Sequence, residues 1–280
     1  MFQVRQPAVA GAFYPGQKQI LANDVKAMLA TALREAEQSN VGATSNGASR
    51  LPPKAIIVPH AGYIYSGPTA AAAYARLSAE SGSIKRVVLL GPVHRVPVRG
   101  LALPGVSAFA TPLGEIKIDQ SAVTAIENLP QVVESSAAHA MEHSLEVQLP
   151  FLQTVLDDFT LLPLAVGDAS PEEVAEVLDV LWGGPETLIV ISSDLSHFLP
   201  YQTAQVVDAG TVQNILSLHS TLNHEQACGG TPVNGLMLAA KQHHLQPYLL
   251  DLRNSGDTAG DKNRVVGYAS FAFMETDNVQ

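Results

Sequence analysis

The chain has 280 residues, 46% hydrophobic and 15% charged, with a formal net charge of −10. That content fits a soluble globular protein with a sizeable core, while the negative charge, unrelieved by any Lys/Arg cluster, argues against nucleic acid or an anionic membrane surface as partner. A single cysteine rules out an internal disulfide and fits a reducing cytoplasm; the N-terminus lacks the layout of a signal peptide, and no apolar run approaches the roughly 18–20 residues of a membrane span.

Residues 2–16 read as extended and turn-rich. Residues 17–38 read as an amphipathic helix, with Ile20, Leu21, Val25, Met28, Leu29, Ala32 and Leu33 at helical spacing. Residues 39–53 are rich in Asn, Gly, Ser and Pro, a flexible surface loop inside one domain spanning 1–280. The apolar run Ile56-Ile57-Val58 then forms a buried strand that stops at Pro59 and delivers His60 into a turn at Gly62. Ser66 can cap and Pro68 can start an alanine-rich helix through Ala70–Ala79. Arg86–Leu90 is a second apolar strand, and it ends in Gly91-Pro92-Val93-His94.

His60 and His94 stand 34 positions apart, close to the length of one strand–helix–strand crossover. In such a unit the strands are parallel and often adjacent, so both histidines leave the carboxyl edge of one sheet, where α/β ligand sites form.

Residues 97–119 read as short strands and turns, with a hairpin arm in Pro112–Ile118, and 120–128 as a helix. Glu142-His143-Ser144 opens a further helix that Pro150 bends or restarts. On it His143 and Glu146 lie three apart on one face, a pair for metal or acid/base work or a capped solvated face. Phe159–Val166 is a strand, Pro171–Trp182 a helix capped by Ser170, and Thr187–Ile191 a third buried strand. Its exit loop, Ser192-Ser193-Asp194-Leu195-Ser196-His197, offers Asp-x-x-His, which can orient a proton-transfer histidine, supply ligands or simply cap the turn.

Residues 203–218 are helical. Cys228-Gly229-Gly230 is a tight turn before a helix that Thr231 and Pro232 can start. That position at a helix N-terminus favours thiolate, the form that binds metal, although an ordinary buried cysteine has the same residue context. Strands at Tyr248–Leu252 and Val265–Phe273 close the chain. His139 carries less weight, and His219, His224, His243 and His244 read as surface residues. Gly-x-Gly-x-x-Gly, Walker A and Gly-x-Ser-x-Gly motifs are absent.

Six segments in order carry a specific resemblance over nearly the whole chain: Arg5–Pro15, Val58-Pro59-His60-Ala61-Gly62-Tyr63, Gly91-Pro92-Val93-His94, Glu142-His143-Ser144-Leu145-Glu146, Ser192–His197 and Cys228-Gly229. The chain resembles the Memo family and its prokaryotic relatives called AmmeMemoRadiSam system protein B, whose fold is similar to LigB-type class III extradiol dioxygenases. The resemblance implies an α/β domain with a mostly parallel central sheet flanked by helices. It implies His60, His94 and Cys228 as metal ligands, with His197 as acid/base, Asp194 beside it and His143 lining the same pocket. Pro-Val-His stands here where Pro-Ser-His is more usual.

Thiolate in place of the dioxygenases' carboxylate softens the site, which favours copper or zinc more than before and still admits iron; with the resemblance, Fe(II) or copper is the expected ion and zinc the alternative. The implied function is metal binding with redox or oxygen-linked chemistry. The alternatives are a ring-cleaving dioxygenase and a non-catalytic module that uses the pocket for a peptide or partner; a small-molecule or peptide ligand is expected in the pocket. The relatives' system name implies a functional link to a radical-SAM protein.

Overall fold

A computed structural model describes residues 3–39, 52–80 and 82–275. The chain begins with β1 (Val4–Arg5), which leads to α1 (Lys18–Ser39). β2 (Ala55–Val58), α2 (Tyr63–Tyr74) and β3 (Arg86–Pro92) form the first crossover. The short strands β4 (Leu101–Leu103), β5 (Ala108–Thr111) and β6 (Gly114–Lys117) precede α3 (Gln120–Ile126), β7 (Val132–Glu134) and α4 (Ser136–Ala140). A 3₁₀ turn at Glu146–Gln148 runs into α5 (Leu149–Val155), then β8 (Thr160–Val166), α6 (Pro171–Leu181) and β9 (Thr187–Ser192). β10 (His197–Leu199), α7 (Tyr201–Leu216), α8 (Gly230–Gln242), β11 (Leu245–Asn254) and β12 (Val265–Glu275) complete the described chain.

The main sheet runs β10-β12-β2-β9-β3-β8-β4-β7, with β11 added to β12. Its centre, β2-β9-β3-β8, is wholly parallel, while β12 joins β2 and β4 joins β8 antiparallel. The central strands are apolar on both faces because helices cover both. Ile56, Val58, Val87, Leu89, Leu188 and Val190 point to one core. Ala55, Ile57, Val88, Leu90, Ile189 and Ile191 point to the other. Each fully buried Val, Leu or Ile there contributes about 1.5–3 kcal/mol. A second sheet, β1-β5-β6, ties the N-terminus to the middle of the chain.

Several expectations shift. β2 and β3 are not adjacent: β9, more than 120 positions further on than β2, inserts between them. α2 begins at Tyr63 rather than near Pro68, because the Tyr63 N–H donates to the Phe13 carbonyl at 2.8 Å and Ser66 Oγ donates back to the Ala61 carbonyl instead of capping. Gly229, not Thr231, takes the cap position of α8. Most of the expected 39–53 loop lies outside the described residues. Among the described residues, no helix is long and apolar enough to cross a membrane.

Candidate metal centre

β2, β9 and β3 all end at the same edge, so His60, the Ser192-Ser193-Asp194 loop and His94 emerge side by side. The His60 N–H donates to Asp194 Oδ1 at 2.7 Å, and its Nδ1 lies 2.9 Å from Ser192 Oγ. The partners of Ser192 settle the tautomer. Its hydroxyl donates to the Ser144 carbonyl at 2.6 Å and accepts from Gln148 Nε2 at 2.8 Å. Gln148 is itself fixed, donating to the Pro59 carbonyl and accepting from Tyr74 Oη. With the Ser192 proton committed, His60 Nδ1 carries hydrogen and donates, which leaves the Nε2 lone pair pointing away from Ser192.

Ser192→Ala is therefore expected to release the ring from a single tautomer. Nitrogen-15 spectra of histidine-labelled, metal-free protein read this directly: the parent shows His60 as the Nδ1–H form, the variant a mixture. An unchanged tautomer would contradict the relay.

His94 is set by a different device. Glu142 Oε2 accepts from the His94 N–H at 2.6 Å, and Oε1 lies 2.9 Å from Nδ1. The same carboxylate accepts from the backbone of His143 and Ser144, and sits 3.2 Å from His143 Nδ1. Burial pushes the Glu142 carboxyl up, but these hydrogen bonds outweigh it and hold the pKa at about 2. A permanent carboxylate thus makes His94 Nδ1 a donor and frees Nε2 as a lone pair. This capping also explains why no helix opens at Glu142: its side chain wraps the turn around His94, and regular structure resumes only at Glu146.

His60, His94 and His143 converge. Each offers one ring nitrogen, and the three atoms lie within 4.8 Å of one another. Burial lowers the His143 pKa to about 4 and takes His60 well below the usual histidine value, so both are neutral donors at pH 7. Phe13 packs on His143 with ring centroids 4.8 Å apart. Cys228 Sγ reaches to 3.3 Å from His60 Nε2.

Three expectations need correction. Cys228 is not made acidic by its helix start: burial, and then the neighbouring Asp194 charge, push its thiol up to about 12. Asp194 does not orient His197. Its carboxyl receives backbone N–H groups of His60 and Ala61, and burial raises its pKa to about 7 despite them. The Leu195 carbonyl takes the orienting role, accepting from His197 Nδ1 at 2.9 Å and leaving the Nε2 lone pair free.

Glu146 does not share a face with His143. It turns inward to pair with Arg5 and accepts from Tyr14 Oη at 2.6 Å and from the N–H groups of Ala8 and Val9. Arg5 also donates to the carbonyls of His139 and Glu142, so this network braces the site from behind.

His139 is fully enclosed beside that brace, with Nε2 donating to the Ala102 carbonyl at 2.7 Å and Nδ1 unpartnered. Burial lowers its pKa to about 4. The unfolded chain takes up a proton below about pH 6.5 that the folded chain refuses until about pH 4. Stability is therefore whole above pH 6.5 and is lost as pH falls through that window, by about 3 kcal/mol in all. Urea unfolding at pH 7 and 4.5 should show a loss smaller by about 2–3 kcal/mol in His139→Phe than in the parent, the remainder coming from His60 and His143, whose pKa values burial also lowers.

A cleft of about 1060 Å³ opens over the centre, lined by His94, His197 and Cys228 and also by His224, which the sequence places only at the surface. Sequence reasoning missed Ser192 and Gln148 as supports. Their only signal is a polar residue at the end of an otherwise apolar strand and one inside an apolar turn.

The family model described as Memo-like protein matches residues 5–272. The chain belongs to the Memo family. The MEMO1 family protein of Ignicoccus hospitalis is 36% identical over 287 residues, covering 96% of this chain and 98% of its own. That of Aquifex aeolicus is 35% identical, covering 97% and 100%. Among solved structures, the uncharacterized protein JW3007 from Escherichia coli K12 aligns with a TM-score of 0.49 at 15% identity, over 78% of this chain and 98% of that one. In this Memo-family chain, the His60/His94/His143 cluster can hold a metal ion, and its His94 lines the cleft.

Proposed function

We propose that this Memo-family chain binds one transition metal through His60, His94 and Cys228, with His143 as a fourth donor, and that iron or copper is its resident ion, ahead of zinc. The observation that carries the reading is the convergence of three imidazole nitrogens within 4.8 Å, two of them with lone pairs fixed by Ser192 and Glu142. The donor set fits: bonds of about 2.1 Å to nitrogen and 2.3 Å to sulfur put neighbouring donors of a tetrahedron about 3.6 Å apart, near the 3.3 Å between Cys228 Sγ and His60 Nε2.

A bound iron or copper ion supplies Lewis-acid and electron-transfer chemistry at this centre. The chain's own part is to hold neutral donors in register through Ser192 and Glu142, and to offer His197 Nε2 as the base that accepts a proton from a ligand. Because His197 lines the same cleft as His94, ring opening of a catechol with O₂ is the second reading. Catechol consumption by iron-loaded protein, lost in His197→Gln with metal retained, tests it.

Elemental analysis of anaerobically purified full-length protein tests the first. About one transition metal per chain is expected, with Cys228→Ala weakening retention. A metal content unchanged in both Cys228→Ala and His60→Ala would refute it.

A further inference from the structure

The cleft is far larger than a metal ion needs. At about 1060 Å³ it has the capacity of an organic-ligand pocket. Its walls divide by chemistry. Val93, Val98, Val166, Leu199 and Val207 form an apolar surface. Beyond the histidines, the charged side chains that line it are Asp168 and Glu225, and no Lys or Arg does so among the described residues. Both carboxylates are on exposed residues.

The arginines near the site lie off the cleft walls: Arg95 is exposed, and its charge reaches His143 and helps to lower its pKa. Arg99 forks onto Glu173 at 2.8 and 3.0 Å and hydrogen-bonds the Asp168 main-chain carbonyl, and the Asp168 charge adds a smaller pull on it. Arg264 stacks over the Phe198 ring at 4.8 Å. An anionic tail against these walls would meet two carboxylates and no lining Lys or Arg among the described residues. A cationic tail would meet two acceptors.

We propose that the cleft takes an organic ligand with an apolar body and a remote ammonium or guanidinium group, received by Asp168 and Glu225. The inference rests on the metal-centre reading only for where the ligand's other end sits. A divalent ion would itself attract anionic head groups, so the test holds the head constant and varies the remote charge alone.

Three probes do this: 4-methylcatechol, dopamine and 3,4-dihydroxyphenylacetate. Their dissociation constants are measured anaerobically at low ionic strength on metal-loaded and metal-free full-length protein. Exposed charge pairs each change affinity a few-fold, and attraction and repulsion add across this series, so dopamine should bind about tenfold more tightly than the carboxylate congener. The gap should fall to within about threefold in the Asp168→Asn/Glu225→Gln variant and should shrink in salt. Because both residues are exposed, these variants leave the core untouched.

A carboxylate congener that binds as tightly as dopamine overturns the inference. So does a gap that survives the double variant, or failure of all three probes to bind in either form. A chain that holds no metal yet keeps the charge order when metal-free refutes the metal centre alone. Metal retained with the charge order reversed refutes this inference alone.

Discussion

His60→Ala is expected to weaken metal retention by more than about 100-fold, beyond the 10–100-fold that loss of a supporting residue costs. His60 is 2% exposed and is the donor with the most determined geometry: its main chain is held by Asp194 and its ring by Ser192. Alanine removes the Nε2 donor and leaves Ser192 and Gln148 nothing to orient. Glu142→Gln makes the informative companion. It keeps the shape of the side chain but removes the charge that faces both His94 and His143, so retention should fall by about 10–100-fold while the three imidazoles stay in place. Competition against a chelator, with circular dichroism to verify folding, measures both. Equal retention in parent and His60→Ala would show that the ion sits elsewhere.

The largest effect on stability is expected from Glu146→Ala. Glu146 is fully buried and pairs with Arg5, which is 7% exposed. Removing one partner leaves an uncompensated guanidinium in the interior, which costs about 3–5 kcal/mol. Tyr14 Oη and the N–H groups of Ala8 and Val9 also lose their acceptor. The consequence reaches the site, because this segment carries Phe13 against His143 and its carbonyl anchors the start of α2. Urea unfolding should show the full loss for Glu146→Ala and less than the sum of the single effects for Arg5→Leu/Glu146→Ala, since the double variant buries no lone charge. A loss below about 1 kcal/mol would mean that the Arg5–Glu146 pair does not brace the fold.

The strand ends were the most legible part of the sequence. Apolar runs that stop at polar residues are a local signal, and the runs before His60, His94 and Asp194 all proved to be central strands with their exits at one edge. The insertion of β9 between β2 and β3 was not legible, because strand order is decided by pairing across long stretches of chain. That insertion is what brings Ser192 to His60.

The roles of Glu142, Glu146 and Asp194 were misread for one physical reason. A carboxylate beside a histidine in sequence points wherever buried N–H groups need an acceptor, and for Glu146 those groups lie more than 130 positions away. The thiol of Cys228 was misjudged because burial outweighs the helix start. The parallel centre of the sheet agrees with expectation, and its antiparallel wings come from the last strands and the β4–β7 extension.

The most direct test is X-ray absorption at the metal edge of the loaded, full-length protein. A set of imidazole nitrogens at about 2.1 Å with one sulfur at about 2.3 Å, the sulfur vanishing in Cys228→Ser, is the expected result. A shell of oxygen alone, with no imidazole scattering and no response to Cys228→Ser, would contradict the centre at its root.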